Sequence, residues 1–476
     1  MLPLMYPVLL AQAPAAFVSP APPAQRYIVE QQDVRPLPGQ LDNIPVFNSN
    51  SPEVIEGAGI LLSTFPRSGT THPHAHLNQT LEGRFDFFSH HISRPAGEKL
   101  TLYQGVLVYN ASSRPVTLQV HQAVSYLNSH DAPFIDLPAQ LEDPYGSIYS
   151  GPGSRLAGDV IRGVNQPYFP SQLVLRPREL RMLAVMPIPV SSARSTLMRL
   201  ESSGPVYMAN LALYEMPEYT SVLDLNDPTN EEPVTKVTYN PPTMRDWQNL
   251  LTQGRLATPR DRAPSNSTER YIYGRVAGIS VGSEWNATLT DQPNGNTLTI
   301  PQPGESFSYP LSTTDTGTHG TDQIQSAPML VRYSDTALRA HGNYAVHYNL
   351  KLPLHNDTNR TQTVFVTVQT PLKKSHLDDR LVFLNPPEDR IFFRGSVRLR
   401  YRDDFGRDQE RYFHLVQRQG QRAEPLIEVR LRPGDRRDVQ VDFLYPPDAT
   451  PPQVLTVSTL GRRNLAIESP SPNPPQ

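Results

Sequence analysis

Cysteine is absent from all 476 residues, which excludes disulfides, thiolate nucleophiles, Cys-type zinc sites and iron–sulfur centres. Excess charge is absent too. A formal charge of -3 at pH 7 argues against a dedicated nucleic-acid binder. No segment approaches the roughly 18 unbroken apolar residues of a membrane-crossing helix, so no transmembrane span is expected. Lysine is scarce, with five residues (Lys99, Lys236, Lys351, Lys373, Lys374) among 43 basic ones. Genome base composition explains such a bias more simply than function, although arginine suits planar hydrogen bonding to anions and sugars better than lysine does. What is plentiful is proline. Its 50 residues are about twice the usual ~5% share, which fits many short strands joined by loops rather than long helices.

The chain is organised around residues 103–123, YQGVLVYNASSRPVTLQVHQA. Val106, Leu107, Val108 and Tyr109 form an apolar, β-prone run, and Val116, Leu118 and Val120 alternate with polar residues, so the pattern is one buried strand and one half-buried strand. Asn110 to Pro115 supply the turn chemistry between them. An echo stands in the second half, where a strand at 347–354, the polar turn HNDTNR at 355–360, and alternating Val364, Val366 and Val368 follow the same grammar. Each copy is then followed by strand, Arg-Pro-centred turn, strand and Pro, at 173–189 and 427–446. Internal duplication is the economical explanation. Any two β-sandwich domains would share part of this grammar, because turns between alternating strands are what such folds require.

The expected fold is therefore all-β, with two tandem antiparallel β-sandwich (Ig-like) domains and a short helix in the junction. Residues 1–16 read as a signal-peptide-like leader, apolar and then small, with the mature chain beginning near 14–17. The N-terminal sandwich spans 27–215, the junction 216–270, the C-terminal sandwich 271–462, and a disordered tail 463–476. Residues 196–214 read as a hairpin turning at 201–205, and Asn294-Gly295 as a second hairpin turn. The junction helix has a clear start, with Thr243 as N-cap, Asp246 three residues on, and Trp247, Leu250 and Leu251 on one face, which is expected to lie between the two halves.

Few residues carry chemistry. His72, His74 and His76 alternate, so an extended segment would put three imidazoles on one face, a metal-binding possibility weighed against a solvated loop. The long 127–155 connection holds Asp131, Asp136, Glu142 and Asp143, where Asp131 and Asp136 are candidates for a carboxylate pair of a glycosidase or for calcium, against an ordinary polar loop. Gly151-Pro152-Gly153-Ser154-Arg155 lacks the Lys and the helix of a phosphate-cradling loop and reads as a turn. Arg398, Arg400 and Arg402 alternate with Val397, Leu399 and Tyr401, which places three guanidinium groups on one strand face. That face suits an anionic glycan or lipid headgroup, or else is a solvated surface neutralised by nearby Asp and Glu. No GxSxG motif supports a hydrolase triad, and no motif calls for a cofactor.

The segments VRPLPGQLDNIPVFNSNSPE (34–53), GILLSTFP (59–66), DAPFIDLP (131–138), RSTLMRLESSGPVYMA (194–209), IQSAPMLVRYSDTALRAHGNY (324–344) and DFLYPPDATPPQVLTV (442–457) together resemble an uncharacterised family of cyanobacterial proteins, classed only as a domain of unknown function. The resemblance implies an exported or envelope protein and carries over no catalytic residue. The expected function is a non-enzymatic structural or binding protein of the bacterial cell envelope, periplasmic or at the cell surface, with an envelope glycan or envelope protein as partner. The alternatives are a β-sandwich carbohydrate-active enzyme and a periplasmic metal-binding protein.

Overall fold

The computed structural model describes residues 24–97, 100–222, 234–261 and 273–461. The leader-like residues 1–16 and the tail 463–476 lie outside these, as do parts of the junction. Strands take 49% of the chain and helices 6%, so the all-β expectation holds.

The first elements are β1 (Arg26–Gln31), β2 (Asp33–Val34), β3 (Pro45–Ser49), β4 (Val54–Ile55), β5 (Gly59–Ser63), β6 (Leu81–Ser93), β7 (Leu102–Asn110), β8 (Val116–Leu127) and β9 (Gln140–Glu142). There follow α1 (Pro152–Ile161), β10 (Gln172–Leu175), β11 (Leu180–Ile188), β12 (Ala193–Tyr214), β13 (Met216–Val222), β14 (Val234–Asn240) and α2 (Met244–Gln253). Next come β15 (Ala277–Val281), β16 (Glu284–Thr288), β17 (Leu298–Thr299), β18 (Ser306–Leu311), β19 (Ala327–Arg332), β20 (Arg339–Ala340) and β21 (His347–His355). The last are β22 (Gln362–Gln369), β23 (Arg380–Asn385), β24 (Ile391–Arg402), β25 (Asp408–Arg418), β26 (Ile427–Leu431), β27 (Arg436–Leu444) and β28 (Gln453–Thr459).

The echo in the sequence is an echo in topology. One sheet contains the order β10-β8-β12-β6-β3 and another the order β26-β22-β28-β18-β2. In both, the last neighbour is parallel and the others are antiparallel. The companion pair β7 with β11 is likewise matched by β21 with β27. The turn between the paired strands agrees atom by atom. Asn110 Nδ2 donates to the carbonyls of Arg114, Leu175 and Arg176 at 2.6, 3.2 and 2.9 Å, and Asn356 Nδ2 to those of Arg360 and Leu431 at 2.8 and 2.9 Å. Each Asn Oδ1 accepts from the backbone N–H two residues on, Ser112 at 2.8 Å and Thr358 at 3.0 Å. A buried Asn thus ties the tight turn to the end of a strand more than 60 positions away in the sequence, satisfying carbonyls that would otherwise be buried unpaired.

In the second half the seven-stranded sheet of β16, β17, β21, β27, β24, β25 and β9 faces the five-stranded sheet across one core. Its inward rows are Tyr348, Leu350, Leu352 and Leu354 on one side and Val364, Val366 and Val368 on the other. This is the period-two alternation of half-buried strands. In the first half the core is closed by β12. Its first part pairs with β6 and β8, its second with β7 and β5, and residues 203–205 between them have no ladder partner. The hairpin expected at 201–205 is therefore one bent 22-residue strand. Both arms already have partners on either side, so Ser-Gly-Pro marks a strand corner rather than a reversal.

Strand pairing also runs across the expected junction. β1 pairs with β23, β2 with β18, β15 with β3, and β9 with β25. The Asn294 turn is no hairpin either: β16 and β17 lie one after the other along β21, both parallel to it.

Helix α2 has the expected capping box, Thr243 with Asp246, but it does not lie between the halves. Trp247 and Leu251 pack on Ile60, Leu107, Ala209 and Leu211 of the first half. The indole sits so close to Gly105 that a Cβ there would be 3.0 Å from it. The helix between the halves is α1, which starts at the segment read as a turn. Leu156, Ala157, Val160 and Ile161 fill a core with Phe88, Val124 and Leu197 of the first half and Leu444 of the second. Its positions i, i+1, i+4 and i+5 form one apolar stripe.

Candidate binding groove

The histidines expected to share a face do not. Residues 73–75 form a 3-10 turn, which sends His76 inward, 1% exposed, with Nδ1 2.8 Å from Ser63 Oγ. His72 and His74 remain outside, their rings edge to face at 5.8 Å. Burial, and next the charge of His74, lower the His76 pKa to about 4. Among the described residues no group of three His, Asp or Glu side chains is placed to hold a metal ion.

The acidic loop is likewise divided. Asp131 Oδ2 accepts from the Leu127 N–H at 3.0 Å, Asp136 is exposed, Glu142 is bidentate with Arg411 at 2.7 and 2.8 Å, and Asp143 is buried against Arg162 at 3.2 Å. Asp131, Glu142 and Asp143 are each used by a different structural partner.

The arginine face turns toward carboxylates of its own sheet. Arg398 reaches the fully buried Asp442 at 2.8 Å through Nε and Nη2. Arg400 is 3.5 Å from Asp442 and Arg402 is 3.1 Å from Asp408. Burial raises the Asp442 pKa, but His347, 3.7 Å away, and the bonds from Arg398 outweigh that and hold it below the usual carboxylate range. One carboxylate, Asp442, thus serves both Arg398 and Arg400, while Arg402 has Asp408.

A constellation without a structural explanation lies on another face. On the five-stranded sheet, Phe365, Thr367 and Gln369 of β22 point away from the core, opposite Ser458, Thr456 and Val454 of β28, with Ser306 and Ser308 beyond them on β18. This face floors a groove of about 690 Å³. Its hydroxyls and amides form a ladder across strands. Gln369 Nε2 donates to Thr456 Oγ1 at 3.0 Å, Thr456 Oγ1 lies 2.7 Å from Ser308 Oγ, and Ser308 donates to Gln32. The rim carries Glu30, Glu305, Glu424 and Arg422. Arg422 is 2.6 Å from Glu30. Burial raises the Glu30 pKa more than Arg422 lowers it. With three carboxyl groups and one guanidinium, the rim is acidic.

None of these residues was a candidate from the sequence. The signal was present in VFVTVQ, where the outward set is Phe, Thr and Gln, but an outward polar row is also what any solvated strand shows.

Fold and groove together define an all-β chain with two five-strand units of like strand order, in which no helix among the described residues is long and apolar enough to cross a membrane. Over residues 32–459 it matches the family described as Protein of unknown function (DUF3370), and it belongs to that family. No curated protein matches the chain.

Proposed function

We propose that this is a non-enzymatic binding protein, exported to the cyanobacterial envelope as a periplasmic or surface protein, that holds a glycan chain in the groove of the five-stranded sheet. The observation that carries this reading is the contrast between equivalent faces. The face that α1 covers in the first unit, with Phe88, Val124 and Leu197 beneath it, is left uncovered by the described residues over the groove in the second and lined there by Ser, Thr and Gln. An open row of hydroxyls and amides beside an aromatic ring suits the alternating hydroxyl and C–H surfaces of a sugar, and the volume falls in the range of ligand sites, roughly 300–1,000 Å³. The acidic rim favours a neutral or amino-sugar chain over an anionic one. Export is supported by the apolar, small-residue-terminated start of the chain.

Calorimetric titration of the full chain with neutral, amino-sugar and uronate oligosaccharides tests the proposal. A neutral or amino-sugar hexamer should bind saturably, and Phe365→Ala should weaken it about tenfold, or ~1.4 kcal/mol. Tighter binding of the uronate chain, or indifference to Phe365→Ala, would overturn it.

A further inference from the structure

A second cavity, of about 150 Å³, lies where the two halves meet. It is independent of the groove. Asn48 and Asn50, two positions apart at the end of β3 and so on one face of the chain, both line it. Both residues are buried, at 4% and 3% exposure, yet among the described residues neither Oδ1 has a hydrogen-bond partner. Their backbones are fully used, since Asn48 pairs with Gly278 and the Asn50 N–H donates to the Val276 carbonyl at 2.9 Å. A lone buried acceptor is unfavourable and calls for an explanation. Two in one cavity point to a ligand that brings donors.

The cavity also holds a cation without a counter-charge among the described residues. Lys373 lines it, with Nζ 5.7 Å over the Phe392 ring, and among the described residues it forms no ion pair within 4 Å. Its charged neighbour is another cation, Arg390; burial, then Arg390, depress its pKa to about 8. The other cation of the lining, Arg275, is held by Glu53. A half-buried ammonium facing no carboxylate is stabilised by an anion supplied from outside.

We infer that this cavity binds a small hydroxy acid, its carboxylate on Lys373 and its hydroxyl groups on the side-chain amides of Asn48 and Asn50. The size sets the class. A space near 150 Å³ holds a molecule about as large as benzene, so a carboxylate of three to five carbons fills it. Neutral polyols lack the partner for Lys373, and inorganic phosphate carries its hydroxyls only on the charged centre itself rather than along a carbon chain.

The test is calorimetric titration of the full-length protein with D-glycerate, and with glycerol, L-serine and inorganic phosphate as separate arms. D-glycerate should bind saturably at millimolar concentration or below, glycerol and phosphate more weakly by about tenfold. Lys373→Met should weaken glycerate binding by about tenfold or more, whereas Lys373→Arg should hold it within a few-fold. Both variants should melt cooperatively, as a check that the fold persists. Absence of saturable glycerate binding, equal binding of glycerol or phosphate, tighter binding of serine, or an unchanged affinity in Lys373→Met would each overturn the assignment.

Discussion

In the first five-strand unit helix α1 lies across the outer face of the sheet, and in the second the corresponding face keeps an open groove. The difference originates in one connection. Between β8 and β10 the chain folds back over its own sheet as α1, anchored by Gln122 Nε2 donating to the Val160 and Val164 carbonyls at 3.1 and 3.0 Å. Between β22 and β26 the chain instead runs out into β23, β24 and β25. β24 and β25 extend the opposite sheet, and β23 with β1 covers only one end of the face, over Val34 and Val454. A shared scaffold thus acquires a structural face in one unit and a free one in the other, and the residues follow: Val, Phe and Leu under the helix, Ser, Thr and Gln in the groove.

If the units are equivalent at the Asn turn, breaking it should hurt both, in proportion to the bonds lost. Asn110→Ala removes donors to three carbonyls and should destabilise by about 3 kcal/mol. Asn356→Ala removes donors to two and should cost about 2 kcal/mol. Urea unfolding midpoints check this. Equal and negligible losses would mean that the matched hydrogen bonds contribute nothing to either unit.

The halves should separate next in their response to acid. Burial, and then the charge of Arg275, drive the His90 pKa down to about 3; burial lowers His91 to about 4, as it does His76. The second half has His319 and His414, each lowered to about 4 by burial and then by nearby basic groups. A histidine held neutral in the fold stabilises it fully above its unfolded pKa near 6.5, and that contribution is lost as pH falls from there toward about 4. Asp86 and Asp448, raised to about 6 by burial, act in the opposite sense: their contribution is present below the unfolded carboxylate pKa and is lost as pH rises through about 6. Five histidines outnumber two aspartates. Stability should therefore fall between pH 6.5 and 4, with amide exchange rising first around β6, where His90 and His91 sit. Exchange that accelerates first in β24 and β25 would reverse the ranking.

What was legible in the sequence was local. The Asn-x-Ser/Thr-x-Arg turns and the Thr243 capping box were readable because each is a short-range arrangement whose residues carry its geometry. The partners of the strands were not. Period-two alternation says which face of β1 or β9 is buried but not that β23 and β25, hundreds of residues away, complete the pairing. Helix α1 was hidden by its own start, since Gly151-Pro152-Gly153 reads as a turn, although Leu156, Ala157, Val160 and Ile161 display the helical stripe. Arg398 was visible as outward-pointing; that Asp442 of β27 stands beside it depends on register, which only the folded sheet supplies. Asn48 and Asn50 carried no signal at all, because an unpaired amide is defined by what does not surround it.

The smallest effect compares one position of the two Arg-Pro turns. Glu179 and Asp435 occupy the same place, each accepting from the backbone N–H three residues earlier, Arg176 at 2.6 Å and Arg432 at 2.8 Å. Just before them stand Arg178 with φ 61° and Gly434 with φ 76°. A left-handed backbone disfavours a side chain by roughly 1–2 kcal/mol, partly offset by the greater freedom glycine has in the unfolded chain. Nothing lies within 4 Å of a Cβ built on Gly434, so only the backbone opposes a substitution there. Gly434→Ala should destabilise by about 1 kcal/mol and Arg178→Gly should stabilise by about 0.5 kcal/mol. Opposite shifts in melting temperature would show that the two turns are the same device with different residues, whereas shifts of one sign would show that Arg178 contributes more through its side chain than its backbone conformation costs.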